Sequence, residues 1–171
     1  MGCFTVLLTE EGDGMRDSTF IQDYLTNTDD EKLAEHVFWI DWREDNADIV
    51  HYSEKRLNTG KLTYEYVVDN ERGVEFYIIY GDKKSLVVMD ADDSCDPTII
   101  ALNEILQPDY EIRMWMESRG SDTLGFVFLT PAEWSTLEQQ FGLENVQEYF
   151  MSITPDTKIF RLTYDDVEHL L

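Results

Sequence analysis

Three consecutive pieces decide the fold: Leu62-Thr63-Tyr64-Glu65-Tyr66-Val67-Val68, then Asp69-Asn70-Glu71-Arg72-Gly73, then Val74-Glu75-Phe76-Tyr77-Ile78-Ile79-Tyr80. In the first, Leu62, Tyr64, Tyr66 and Val68 alternate with Thr63 and Glu65, the period of a strand whose side chains point to opposite faces in turn. The third repeats that period with Phe76, Ile78 and Tyr80 on one face, and the middle piece supplies turn chemistry, so the three together predict a hairpin. Gly81-Asp82-Lys83-Lys84 then turns the chain into Leu86–Met89, whose unbroken apolar run reads as a central strand.

Outward from the hairpin, strands are expected over Phe4–Leu8, Glu111–Glu117 and Leu124–Leu129, with Ile112, Met114 and Met116 inward. Helices announce themselves by their ends. Thr130-Pro131-Ala132-Glu133 is a capping box with proline at the first helical position, followed by Trp134, Leu137 and Phe141 and closed by Gly142. Asp96-Pro97 opens a helix carrying Ile99 to Leu106 and stopping before Pro108. Ser18–Leu25 and Asp30–His36 read as helical, as do Leu143, Val146 and Phe150 at i, i+3 and i+7 and a short segment from Thr163 to Leu171. Residues 37–57 fit either a strand over Val37–Trp42 or one continuous helix. Consecutive strands joined by short turns, with helices grouped elsewhere, predict an α+β fold. We expect one domain over residues 1–171: a mainly antiparallel sheet of about five to seven strands with short helices packed on it.

Composition restricts function more than any motif does. The 171 residues hold 36 Asp and Glu against 13 Lys and Arg, a formal charge of −23. At 43% hydrophobic and 13% aromatic, the chain has the material for a core, which argues against a disordered acidic tail. The charge is not a tail in any case, because successive thirds carry −9, −7 and −7. Phosphate polyanions and anionic membranes repel such a surface, so direct nucleic-acid or membrane binding is not expected. A secretory n-region is basic whereas residues 1–14 contain no Lys or Arg, and two cysteines are too few for a disulfide framework. A cytoplasmic protein is the expectation.

Catalytic signatures are sparse. His36, His51 and His169 lie at no metal-ligand spacing, and there is no CxxC, HExxH or G-x-S-x-G. No catalytic residue and no cofactor is therefore assigned. Cys95, among aspartates, is expected to be a poor nucleophile. Asp90, Asp92, Asp93 and Asp96 form the richest acidic run, and Asp90, Asp92 and Asp93 are the set to hold Mg²⁺ or Ca²⁺ if any does. Leu86-Val87-Val88-Met89-Asp90-Ala91-Asp92 resembles the strand-then-DxD signature of the haloacid dehalogenases, and Phe126–Thr130 resembles that family's second motif. The resemblance implies a phosphohydrolase on a parallel sheet with DxD near the N-terminus. Here hairpin-like strands precede the motif, and no lysine follows Thr130 before Lys158.

A second acidic stretch is Asp41, Glu44, Asp45 and Asp48, at i, i+3, i+4 and i+7, with Trp39 and Trp42 beside it. On a helix these acids make one stripe, and tryptophan beside carboxylates suits a hot spot for an Arg- or Lys-rich partner. The reading favoured for this stretch itself puts both tryptophans in the core and leaves the acids on a solvated face. The favoured expectation is an acidic protein-binding domain that neutralises a basic partner, such as a nuclease or nucleic-acid-binding protein. Immunity proteins, antitoxins and nucleic-acid mimics work in this way. The expected contacts are Asp41, Trp42, Glu44, Asp45, Asp48, Asp90, Asp92, Asp93 and Asp96. The alternatives are a divalent-metal phosphohydrolase using Asp90, Asp92 and Asp93, and a non-catalytic housekeeping domain adapted to salt.

Overall fold

The computed structural model describes residues 17–160 apart from residue 72 and residues 90–93. The expected strand at residues 4–8, the last helix from Thr163, and Asp90, Asp92 and Asp93 lie outside the described residues. In chain order the elements are α1 (Asp17–Asn27), α2 (Asp30–Ala34), β1 (Phe38–Asp41), α3 (Asn46–Leu57), β2 (Leu62–Asp69), β3 (Gly73–Tyr80) and β4 (Lys83–Val87). They continue with α4 (Asp96–Leu106), β5 (Glu111–Trp115), β6 (Thr123–Leu129), α5 (Pro131–Phe141), α6 (Leu143–Tyr149) and β7 (Phe150–Ser152). The fold is α+β, as expected. Among the described residues seven strands form two antiparallel sheets, one ordered β1-β6-β5-β7 and one ordered β2-β3-β4.

The two sheets differ in how many faces they bury, and the sequence patterns follow from that. In the four-stranded sheet, Phe38, Ile40, Ile112, Met114, Leu124, Phe126 and Phe128 face the main core with α3, α4 and the other sheet. Trp115, Val127 and Leu129 point the opposite way into a second core with Ile21 and Tyr24 of α1, Trp134 and Leu137 of α5 and Val146 of α6. A strand covered on both faces reads as a continuous apolar run, which is why β6 is Thr-Leu-Gly-Phe-Val-Phe-Leu. Gly125 packs closely on this second face: a Cβ there would meet Val37 Cγ2 at 3.2 Å and the Trp115 ring at 3.3 Å. The three-stranded sheet buries one face only, through Leu62, Phe76, Ile78, Tyr80 and Val87, and its strands alternate accordingly.

Three expectations are corrected. Among the described residues β4 is an edge strand, not a central one; it starts at Lys83, within the turn expected from the sequence, and pairs there with β3 alone. Residues 37–57, by contrast, take the strand alternative: β1 (Phe38–Asp41) lies within Val37–Trp42, and a helix, α3, begins only at Asn46. Phe150 is not the end of a helix but the first residue of β7, paired with Trp115. Met116 lies in a 3-10 turn after β5 rather than in the strand. The capping box at Thr130 and the helix behind Asp96-Pro97 are as read. Among the described residues, no helix is long and apolar enough to cross a membrane.

Candidate functional site

The acidic stretch 41–48 occupies a strand end, a turn and a helix start. Asp41 closes β1, and its Oδ1 accepts from the Arg43 backbone N–H at 2.9 Å and from Arg43 Nε at 3.3 Å. Those bonds hold its carboxyl below the usual range. Asp45 caps α3, accepting from the Ala47 N–H at 2.8 Å, and Asp48 adds charge in the first turn, where the helix dipole favours it. The expected helical stripe is therefore absent, yet the four carboxylates stay on one short segment. Trp42, at the turn, is 55% exposed, and Arg43 lies 5.3 Å from its ring centroid. Trp39 is also exposed in part, with its indole N–H donating to Ala34 O at 2.9 Å. Neither tryptophan is a core residue.

Met89 and the start of α4 are brought against this first acidic stretch by contacts spanning about fifty residues of sequence. Cys95 Sγ donates to Trp42 O at 3.8 Å and to Glu44 O at 3.6 Å. Thr98 Oγ1 donates to Asn46 Oδ1 at 2.5 Å, and Asn46 Nδ2 donates to Met89 Sδ at 3.7 Å. Burial, then the charges of Asp96, Glu44, Asp41 and Asp45, push the Cys95 thiol up to about 11. The sequence expectation of an unreactive thiol agrees in direction, although burial is the larger cause.

Asp96 does not belong to the contact surface expected for it. It is 3% exposed, and its Oδ1 accepts from the backbone N–H groups of Ile159 at 2.9 Å and Phe160 at 3.1 Å. Its role is to hold the segment after β7 onto α4. Nor does it cap α4, whose N-cap is Cys95 with no side-chain bond. Burial pushes the Asp96 carboxyl up, partly opposed by the two N–H bonds and by Lys158. Thr130, which stands where the dehalogenase resemblance places a motif residue, has its hydroxyl committed to the capping box with Glu133. Among the described residues, no group of three His, Cys, Asp or Glu side chains is arranged to hold a metal ion.

Two aromatic residues join this surface that the sequence reading assigned only to a strand. Tyr66 Oη donates to Asp45 Oδ1 at 3.4 Å, and Tyr64 packs edge-on against Tyr66 with ring centroids 6.0 Å apart. Burial, then Asp45, raise the Tyr66 hydroxyl pKa, with Tyr64 and Asp48 adding to the shift. Only the period-2 spacing with Leu62 hinted at them. It could not tell that Leu62 would be buried while both tyrosines stayed exposed. No protein family, curated protein or solved structure matches this chain, so the surface is read from its own chemistry.

Proposed function

We propose that this protein is an acidic binding domain that neutralises a basic partner protein, in the manner of an immunity protein or antitoxin bound to a nuclease. One observation carries the reading. Trp42 stands exposed on a turn flanked by Asp41, Glu44, Asp45 and Asp48, and that turn is held in place by Cys95. An exposed indole beside carboxylates offers a cationic side chain both a ring face and a counter-charge. Arg43 already lies over that ring, so a partner guanidinium competes with it or takes the other face. Asx bonds at Asp41 and Asp45 fix the turn before binding, which lowers the ordering cost of association. The surrounding charge accelerates encounter with a basic surface and disfavours an acidic one.

The test uses the intact protein as bait in a cell extract at about 0.05 M salt, where surface charges are weakly screened. Beside it run Trp42→Ala and the double variant Glu44→Lys/Asp48→Lys. Retention of a basic protein by the wild type, its release as salt is raised, and its loss from both variants are expected. Equal retention by the charge-swapped variant, or no basic protein at all, overturns the reading.

A further inference from the structure

Among the described residues, the β2 edge of the three-stranded sheet is open and lacks most of the usual precautions against stray pairing. Natural proteins blunt free edges by shortness, lysine, proline or cover. β1 and β7 have four and three residues, and β4 carries Lys83 and Lys84. β2 has eight residues, Leu-Thr-Tyr-Glu-Tyr-Val-Val-Asp, with no lysine and no proline. Its backbone direction follows from the register. Gly81 N donates to Lys61 O at 3.1 Å, which marks that pair as hydrogen-bonded, and the ladder continues without a break from Leu62↔Tyr80 to Asp69↔Gly73. Bonded and non-bonded pairs alternate in an antiparallel ladder, so Thr63, Glu65 and Val67 face β3. Leu62, Tyr64, Tyr66 and Val68 turn their N–H and C=O groups outward. The Leu62 N–H agrees, since Glu54 Oε2 accepts it at 3.0 Å. The outward groups of Tyr64, Tyr66 and Val68 have no hydrogen-bond partner among the described residues, and these side chains are 38%, 52% and 76% exposed.

We propose that this edge takes up an extended, basic segment of the partner as a fourth strand, the partner's main chain pairing with Tyr64, Tyr66 and Val68. The inference rests on the basic-partner reading above and gives it a geometry. Charge selects the occupant. Asp45 and Asp48 flank the edge at Tyr66, and a second copy of the chain would set −23 against −23. A strand with Lys or Arg at alternate positions places cations over the two tyrosines and beside those acids, while its backbone supplies the ladder bonds.

The probe is a short synthetic peptide of alternating Lys and Val, titrated at low salt against the whole protein. A twin peptide is N-methylated at alternate residues, so its charge is unchanged and its ladder donors are lost. Two such twins cover both methylation frames. Strand addition is supported if one twin binds about tenfold more weakly than the parent, the scale of two lost hydrogen bonds. The amide signals of Tyr64, Tyr66 and Val68 should shift with the parent peptide. Val68→Pro, which removes an outward N–H and none that bonds β3, should weaken the parent to the same degree. Equal binding by parent and both twins overturns strand addition and leaves the acidic-surface reading standing. No binding by any of the peptides overturns both.

Discussion

Asp96 is the residue whose role differs most from its sequence context, and its substitutions separate two effects. Asp96→Ala strands the N–H groups of Ile159 and Phe160 in a buried place, a loss of about 1–3 kcal/mol for each unsatisfied donor. Urea unfolding at neutral pH measures it. Asp96→Asn keeps an acceptor and removes the charge. Because the folded carboxyl is raised above its unfolded value, the wild type loses stability as pH rises from about 4, the ordinary aspartate value, through the raised one. The asparagine variant lacks that decline, so it should gain on the wild type between acid and neutral pH. Parallel pH profiles for the two proteins would contradict this account. Sequence could not supply the assignment: an aspartate before a proline at a helix start reads as a cap, and only contacts with residues more than sixty positions away bury it.

At the scale of elements, Glu54 fastens the end of α3 to the start of β2. It accepts from Thr59 Oγ1 at 2.6 Å, Gly60 N at 2.5 Å and Leu62 N at 3.0 Å. Partial burial pushes its carboxyl up, and these bonds outweigh that, leaving it below the usual range. Its stabilisation is therefore complete above about pH 4.3, the ordinary glutamate value, and is lost as pH falls below that. Glu54→Gln should cost roughly 1.5–3 kcal/mol at neutral pH, the range for hydrogen bonds to a charged group. The gap should close on acidification, and thermal melts at several pH values would read both. Gly125→Ala tests a different constraint. The new methyl meets Val37 and Trp115, and overpacking of about 1–3 kcal/mol is expected in a denaturant melt. Elements with local signals were legible in the sequence, such as the helix behind the Thr130 box and the strands alternating about residues 69–73. Those depending on neighbours were not. Leu86–Met89 is as apolar as a central strand, but only Leu86 and Val87 join a strand, and β4 is an edge among the described residues; Phe150 fits a helical i+7 spacing while starting β7.

For the whole molecule the charge sets the response to salt. With 36 acids against 13 bases, most carboxylates have no cation to pair with, and their repulsion acts over a screening length of about 30 Å at 0.01 M and about 8 Å at 0.15 M. The melting temperature should rise as KCl is added over that range, and a flat or falling response would mean that repulsion is not limiting. Half of the candidate surface was visible in the sequence, because Asp41 to Asp48 are neighbours in the chain. Its attachment to the start of α4 was hidden, because it runs through the Cys95 thiol with two distant carbonyls and through the Thr98–Asn46 side-chain bond, as was the part played by Tyr64 and Tyr66.

That thiol also provides a clock. Cys95 is buried, its pKa is raised to about 11, and its sulfur bonds to the backbone of the turn that presents Trp42. Lifting of the turn from α4 uncovers it to a thiol-specific reagent, so in a Cys3→Ser background the labelling rate responds to such openings. A ligand seated on the turn should slow the clock without touching the sulfur, giving a binding readout that needs neither a tag nor knowledge of the ligand.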